Sequence, residues 1–360
     1  MSKKTLVIAE AGVNHNGDEQ LALELVRQAC QAGADIVKFQ TFKAKNIVTS
    51  EAEQAIYQRS NTGVIESQLT MLRRLELSFS THFKLIEECN KLGIEFLSTA
   101  FDSESLDFLV KDLKLTRLKI PSGELTNLPL VLKHAQSGCN LILSTGMATL
   151  GEIESALGVI AFGLMFPTVA IPKTGDFEHA YASQEGQELL RNKVTLLHCT
   201  TEYPAPLNEI NLSAMTSMAK AFDLDIGYSD HSLGWVVPVA AVASGAKIIE
   251  KHFTLDKSLE GPDHKASLAP SELAEMVTFI RQTEQVMGSK IKAPTKSEIA
   301  NKVAARKSLV ATKDISAGTI FDYSNLEVKR PGSGMSPSFF WEVLGTKASY
   351  DYKAGQLIDE

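Results

Sequence analysis

Cysteine is scarce. The chain has four in 360 residues, Cys30, Cys89, Cys139 and Cys199, and no Cys-x-x-Cys pair. Nothing therefore suggests a disulfide framework, and each cysteine lies in a core-like pattern, so reduced thiols in a cytoplasmic protein are expected. Excess basic charge is also missing. The formal net charge is −7, which excludes a broad nucleic-acid-binding face but leaves room for a local positive pocket around a small anion. No apolar run is long enough to cross a membrane: the richest, residues 159–171, contains Gly163 and Pro167 and stops at Pro172. The opening Met-Ser-Lys-Lys-Thr-Leu-Val-Ile-Ala-Glu meets polar and acidic residues too early for a signal peptide. An apolar fraction of 44% and a charged fraction of 22% are ordinary for a globular enzyme.

What the chain does have is a recurring phrase: an amphipathic helix, a glycine, then a short β-rich run. It appears around Gly33, Gly93, Gly138 and Gly245, each placed where a helix would end in a left-handed cap. The first helix is clearly patterned, with Asp18 as N-cap and Ala22, Leu25, Val26, Ala29 and Cys30 on one stripe. Strand candidates are 5–10, 35–40, 95–99, 117–121, 140–144, 194–199, 225–229 and 247–250. Most are apolar throughout, as strands covered on both faces are, and helices separate them. A closed (β/α)8 TIM barrel is expected over residues 1–287, with a doubly wound open sheet as the alternative. Residues 288–302 read as a linker. Residues 303–360 read as a small, mostly β domain with short strands at 308–311, 314–320 and 352–358. Two stretches break the rhythm, 44–76 and 162–187, and either is a candidate cover for an active site.

Polar residues gather at the predicted strand ends, where barrel enzymes carry their chemistry. His231 and His252 end consecutive strands and form a half-built site for a divalent metal acting as a Lewis acid. Lys38 and Lys119 lie inside apolar strands, where an unpaired ammonium is costly. A phosphate or carboxylate ligand would satisfy them, with Thr99, Ser122 and Ser144 as neutral donors, or they pair internally with Glu10 or Glu124. A desolvated lysine is also a possible Schiff-base nucleophile. Glu124 and Glu10 are candidate proton acceptors, and Glu250 is placed to orient His252. His198 reads as bonded to a core carbonyl, and His82, His134 and His179 as solvated. His264 is an open candidate for a sugar contact.

The runs Ala9-Glu-Ala-Gly-Val-Asn-His-Asn-Gly, Lys119-Ile-Pro-Ser-Gly-Glu, Leu143-Ser-Thr-Gly-Met, His198-Cys-Thr-Thr-Glu-Tyr-Pro, Gly227-Tyr-Ser-Asp-His, Glu250-Lys-His-Phe-Thr and Gly261-Pro-Asp-His together resemble the nonulosonate (sialic acid) synthases. Val328-Lys-Arg-Pro-Gly-Ser-Gly resembles their C-terminal antifreeze-like, or SAF, domain. The resemblance implies condensation of phosphoenolpyruvate with an N-acyl amino-sugar aldehyde, first of all N-acetylmannosamine, giving N-acetylneuraminate and phosphate. The alternative acceptor is 2,4-diacetamido-2,4,6-trideoxymannose, giving legionaminate; a Schiff-base sugar-acid lyase is the alternative of another class. The resemblance also implies Mn2+ or Mg2+ on His231 and His252, and a domain-swapped homodimer. Lys38, Thr99, Lys119, Ser122, Ser144 and Tyr203 match phosphoenolpyruvate-binding places, with Lys119 also in the catalytic set. Tyr203, Asp263 and Arg330 match sugar contacts, Arg330 from the other subunit. Two positions depart from the pattern: Asn16 stands where some relatives have glutamate, and Thr201 where some have asparagine.

Overall fold

Local signals place the elements, and closure of the sheet turns them into a barrel. The computed structural model describes residues 4–169 and 171–359; the first three residues of the amino-terminal reading, and Ala170 inside the 162–187 stretch, lie outside the described residues. Asp18 caps the helix Glu19–Gln31, its carboxylate accepting from the Gln20 and Leu21 N–H groups. Gly93, at φ 74°, ends the helix Phe79–Leu92 with its N–H on the Cys89 carbonyl, and Gly33, Gly138 and Gly245 also adopt positive φ.

The strands are β1 (Leu6–Gly12), β2 (Ile36–Thr41), β3 (Glu95–Ala100), β4 (Arg117–Ile120), β5 (Asn140–Ser144), β6 (Val194–Cys199), β7 (Asp225–Asp230) and β8 (Ile248–His252). Each pairs in parallel with its sequence neighbour, and β8 returns to β1, with Glu10 opposite His252. That last pairing rules out the open sheet.

The barrel is a packed core with a polar top. Ile8, Ile36, Leu97, Ile142, Leu197 and Ile248 form one buried cluster inside it. Side chains alternate along a strand, so the next inward positions are Glu10, Lys38, Thr99, Ser144, Cys199 and Glu250. Outward residues such as Val7, Val37, Leu118 and Ile249 pack against the helical ring, Leu25 and Leu85 included. Each such buried aliphatic side chain contributes about 1.5–3 kcal/mol.

Residues 44–76 form three short helices, Ala44–Ile47, Ile56–Thr62 and Gln68–Leu75. Met71 and Leu75 join Val13 and Phe42 in a separate buried cluster. The 162–187 stretch, expected as a break in the rhythm and a candidate cover, is mostly helical. Phe162 belongs to the helix Leu150–Met165, and the helices Asp176–Ala182 and Gln184–Lys193 follow. The described part of this stretch braces the outer ring: the Phe177 carbonyl comes so near Gly158 that a Cβ there would lie 3.1 Å from it.

The chain divides into two compact units, 1–288 and 289–360. Part of the expected linker is the helix Lys296–Ala305, capped by Thr295 and Glu298. None of its residues is buried, so it carries no core-facing stripe to read. In the second unit β9 (Ser308–Ala311) pairs antiparallel with β10 (Leu326–Lys329). Residues 314–320 and 352–358 are not the expected strands; single bridges, Ile315 with Tyr352 and Ile320 with Lys347, join turns there. Leu309, Ile315, Phe321, Leu326, Tyr352 and Ile358 make this unit's own core.

The expected solvated state of His82 and His134 is also corrected. Both are buried. His82 lies 2.8 Å from the Thr41 hydroxyl and 2.9 Å from the Ser78 carbonyl. His134 contacts the Leu130 carbonyl at 2.9 Å, and burial pushes it down to about 4. His179 is exposed, and His198 rests on the Ile210 carbonyl at 2.8 Å. All four cysteines are free, three of them buried and Cys30 half-buried.

Candidate active site

At the C-terminal mouth of the barrel lies a cavity of about 410 Å³ with a charged floor. Four side chains, each under 5% exposed, meet there: Glu10 from β1, Lys38 from β2, Lys119 from β4 and Glu250 from β8. The Lys119 ammonium donates to both Glu250 oxygens at 2.7 and 2.8 Å. Lys38 lies 2.8 Å from Glu10 and 3.6 Å from Glu250, and donates to the Thr99 hydroxyl at 3.1 Å. Ser229 donates to Glu250 at 3.0 Å. The expected internal pairing with Glu10 is made by Lys38; for Lys119 the partner is Glu250 and not Glu124. Glu124 sits on the turn Ser122–Glu124, partly buried on the cavity wall and bonded to the Asn127 amide.

The two carboxylates differ. Burial drives Glu10 up to about 7 against the pull of Lys38, with the Glu250 charge adding to the rise. Glu250 is buried as deeply, yet Lys119 and Lys38 together hold it well below the usual carboxylate range. The lysines differ in the same way: burial lowers both, but two carboxylates keep Lys38 above its ordinary value, while Lys119 stays below. Glu250 is thus the fixed charge of the floor and Glu10 its exchangeable proton.

His231 and His252 stand beside this floor with ring centroids 5.7 Å apart. The Nδ1 of His231 is 2.6 Å from the Thr200 carbonyl, which assigns the proton to that nitrogen and leaves a lone pair on Nε2. The Tyr203 ring packs on His231 at 4.1 Å and edge-on to His252 at 5.7 Å. Burial lowers His231 to about 4, and burial together with the neighbouring His231 ring holds His252 well below its ordinary value. The buried Nδ1 of His252 has no hydrogen-bond partner among the described residues and lies 3.8 Å from Asp263, itself pushed up to about 6 by burial. Two neutral imidazoles are ligands of the kind a divalent cation takes, with its other positions left open. No cluster of three or more His, Cys, Asp or Glu placed to hold a metal occurs among the described residues.

A ring of hydroxyls closes another side. Gly146 N–H donates to Ser122 Oγ at 3.0 Å, and Ser122 lies 3.2 Å from the Cys199 sulfur. A Cβ on Gly146 would fall 2.2 Å from the Thr201 hydroxyl, so this crowded turn requires glycine. The buried hydroxyls of Ser144 and Thr201 lack hydrogen-bond partners among the described residues, leaving donors free for an anion. The rim is largely apolar: Val13, Phe42, Ile47, Met71, Leu72 and Phe101 line it together with Gln40, Gln58 and Gln68, so the 44–76 stretch walls the site.

Of the expected site residues, Glu10, Lys38, Thr99, Lys119, Ser122, Glu124, Ser144, Tyr203, His231, His252 and Asp263 all line this one cavity. Arg330 is placed in the second unit, exposed, its Nε donating to the Ala305 carbonyl at 3.1 Å. Asn16 holds loops together, bonding the Glu260 carbonyl at 2.8 Å and facing His264 at 3.3 Å. Ser229 and Gly146 had not been singled out. The period-two step back from His231 pointed to Ser229, whereas no local pattern marks the crowding around Gly146.

Residues 25–292 match the NeuB family, and residues 306–360 match the SAF domain. The chain belongs to the NeuB family. Three relatives of this family extend along nearly the whole chain. The N,N'-diacetyllegionaminic acid synthase of Campylobacter jejuni is 52% identical, covering 99% of this chain and 100% of that protein. The synthase of the same name from Legionella pneumophila is 44% identical, with 99% and 94% covered. The human N-acetylneuraminate-9-phosphate synthase is 31% identical, with 98% and 91% covered. Among solved structures, the sialic acid synthetase of Leptospira borgpetersenii superimposes with a TM-score of 0.67 at 32% identity, covering 83% of this chain and 90% of that one. This enzyme therefore belongs to the nonulosonate synthase family, with a TIM-barrel unit and a C-terminal SAF unit.

Proposed function

We propose that the enzyme condenses phosphoenolpyruvate with 2,4-diacetamido-2,4,6-trideoxymannose, forming N,N'-diacetyllegionaminate and phosphate. The observation that carries this acceptor is the 52% identity, end to end, with a legionaminic acid synthase, against 31% with the human sialate-phosphate enzyme. N-acetylmannosamine, the first expectation, is set aside on that ground. The largely apolar rim supports the same reading, because the favoured acceptor carries a methyl in place of a hydroxymethyl group and an acetamide in place of a hydroxyl.

Phosphoenolpyruvate brings a carboxylate and a phosphate, which Lys38, Lys119 and the free hydroxyls of Ser144 and Thr201 would share. Glu10 then takes up the proton its environment already favours, releasing Lys38 to the incoming anion. C3 of phosphoenolpyruvate attacks the aldehyde carbon, forming the new carbon–carbon bond; water adds at C2, and phosphate departs with the C2–O bond. His231 and His252 would hold Mn2+ or Mg2+, which would supply Lewis-acid polarisation of a carbonyl oxygen. Protonated Glu10 serves the developing alkoxide as acid, and Glu124, nearer solvent on the wall, accepts the proton of the attacking water. Asp263 and Tyr203 orient the sugar. The enzyme works in the cytoplasm as a domain-swapped homodimer in which Arg330 reaches the partner's acceptor.

Phosphate release with manganese, comparing the two acceptors, tests this directly. A clear preference for the diacetamido sugar in kcat/KM is expected; preference for N-acetylmannosamine would overturn the acceptor, and release unaffected by chelation would overturn the metal. Mixed dimers of Arg330→Ala and His231→Ala should recover activity if the arginine crosses between subunits. A Schiff-base lyase has one point in its favour, the lowered Lys119, but Glu250 grips that ammonium with both oxygens. Borohydride trapping with pyruvate should therefore fail.

A further inference from the structure

Behind the two histidines, on the opposite face of the same strands, lies an ion pair with no contact with solvent. Asp230 and Lys251 are each 0% exposed and pair in register across β7 and β8. The Lys251 ammonium lies 2.5 Å from the Asp230 carboxylate and also donates to the Ser232 carbonyl. The other Asp230 oxygen accepts the Ser232 N–H at 3.0 Å. His231 is therefore bracketed: the residue before it and both backbone groups of the residue after it are tied into one knot. His252 follows Lys251 directly, so the same knot holds its backbone as well.

Alternation along the strands turns Asp230 and Lys251 away from the cavity that Ser229, His231, Glu250 and His252 line. They cannot touch a substrate there. Nor does stability explain the pair, because an apolar pair of equal volume commonly does as well as a buried ion pair. What the pair does define is a distance. His231 has a second restraint in the Thr200 carbonyl, but the Nδ1 of His252 has no hydrogen-bond partner among the described residues. The backbone of His252 is also held by β1, opposite Glu10, and by the Leu268 N–H on its carbonyl at 2.9 Å, but its spacing from His231 is set where β7 and β8 are joined.

We infer that Asp230 and Lys251 are positioning residues that set the spacing of His231 and His252 from behind the barrel wall, so that the two imidazoles present one divalent-cation site. This rests on the metal-holding role proposed above. The pair acts through backbone position alone, as outer partners of metal ligands do when they fix geometry.

The test is Mn2+ binding to the full-length protein, followed by the electron paramagnetic resonance of free and bound ion. The variants are Asp230→Asn with Lys251→Met, which removes both charges at nearly constant shape, and Asp230→Glu, which keeps both charges but lengthens one arm. Each should weaken Mn2+ binding about 10–100-fold and broaden the bound-ion spectrum. Phosphoenolpyruvate binding without metal should change less than about twofold, since the floor is untouched. Wild-type Mn2+ affinity and spectrum in Asp230→Glu, or in a folded double variant, would overturn the inference alone. If the wild-type protein binds Mn2+ no better than His231→Ala, the metal reading itself falls and this inference with it. Should the double variant fail to fold, the Asp230→Glu spectrum decides.

Discussion

Glu250→Gln should make the protein less stable and its hold on phosphoenolpyruvate tighter, two effects of opposite sign from one lost charge. Glu250 is 4% exposed, takes both hydrogen bonds from Lys119, lies 3.6 Å from Lys38 and accepts from Ser229. Removing one partner of a buried pair costs about 3–5 kcal/mol. The lower end applies, because Glu10 still answers Lys38 at 2.8 Å. At about 2 °C per kcal/mol for a large domain, the ligand-free melting temperature should fall by roughly 6 °C. The floor meanwhile loses its fixed negative charge while both lysines remain. An extra positive charge about 5 Å from the ligand, at an effective dielectric near 20 and further screened at the open mouth, tightens an anion by roughly tenfold. Differential scanning calorimetry with and without phosphoenolpyruvate, acceptor omitted and metal chelated, reads both quantities. A melting temperature within about 1 °C of wild type, or a smaller ligand-induced rise than wild type shows, would refute an electrostatically coupled floor. The pH dependence gives a further check. Glu250 is held below its ordinary value of 4.5, so its stabilisation is fully present above that pH and is lost as pH falls through the lower folded value. The gap between variant and wild type should close in acid.

Glu10 carries the opposite sign. Its carboxyl is raised from 4.5 to about 7, so the folded state keeps a proton that the unfolded chain has lost. Stability therefore falls as pH rises across that window, and Glu10→Gln should lack this slope in melting temperature measured from pH 4.5 upward; an unchanged slope would assign it elsewhere. Gly146→Ala forces a Cβ to within 2.2 Å of Thr201 and 3.0 Å of Ser122. Steady-state kinetics should show the phosphoenolpyruvate KM rising about tenfold or more, and an unchanged KM would remove the hydroxyl ring from the anion site. Gly227→Ala sets a Cβ 2.4 Å from the Ile248 carbonyl and 2.6 Å from Leu197, inside the barrel layer. It should cost at least 1–3 kcal/mol, as overpacking does, and a melting temperature equal to wild type would refute the tight packing there.

Much of this was legible locally. A strand's period of two and a helix's period of 3.6 are written in neighbouring residues, as are the Asp18 cap and the glycines that end helices at residues 33, 93, 138 and 245. Because period two also fixes which side chains share a face, the order Ile8 then Glu10, Ile36 then Lys38, and Ile248 then Glu250 and His252 already implied an apolar plug beneath a polar mouth. Elements without a buried stripe, such as the helix Lys296–Ala305, left no such trace. Partnership left none either. Lys119 and Glu250 are 131 residues apart, and only closure of β8 onto β1 brings strands from opposite parts of the sequence around one floor. Burial of His82 and His134, invisible in residue type, follows from the helical ring packing on that closed sheet. The sequence by itself determined which side chains face inward at each strand end, since alternation is a property of a single strand. Which of them meet, which lysine is answered by which glutamate, and which carboxyl keeps its proton were decided only by the tertiary structure, because distance and desolvation exist only once the barrel has closed.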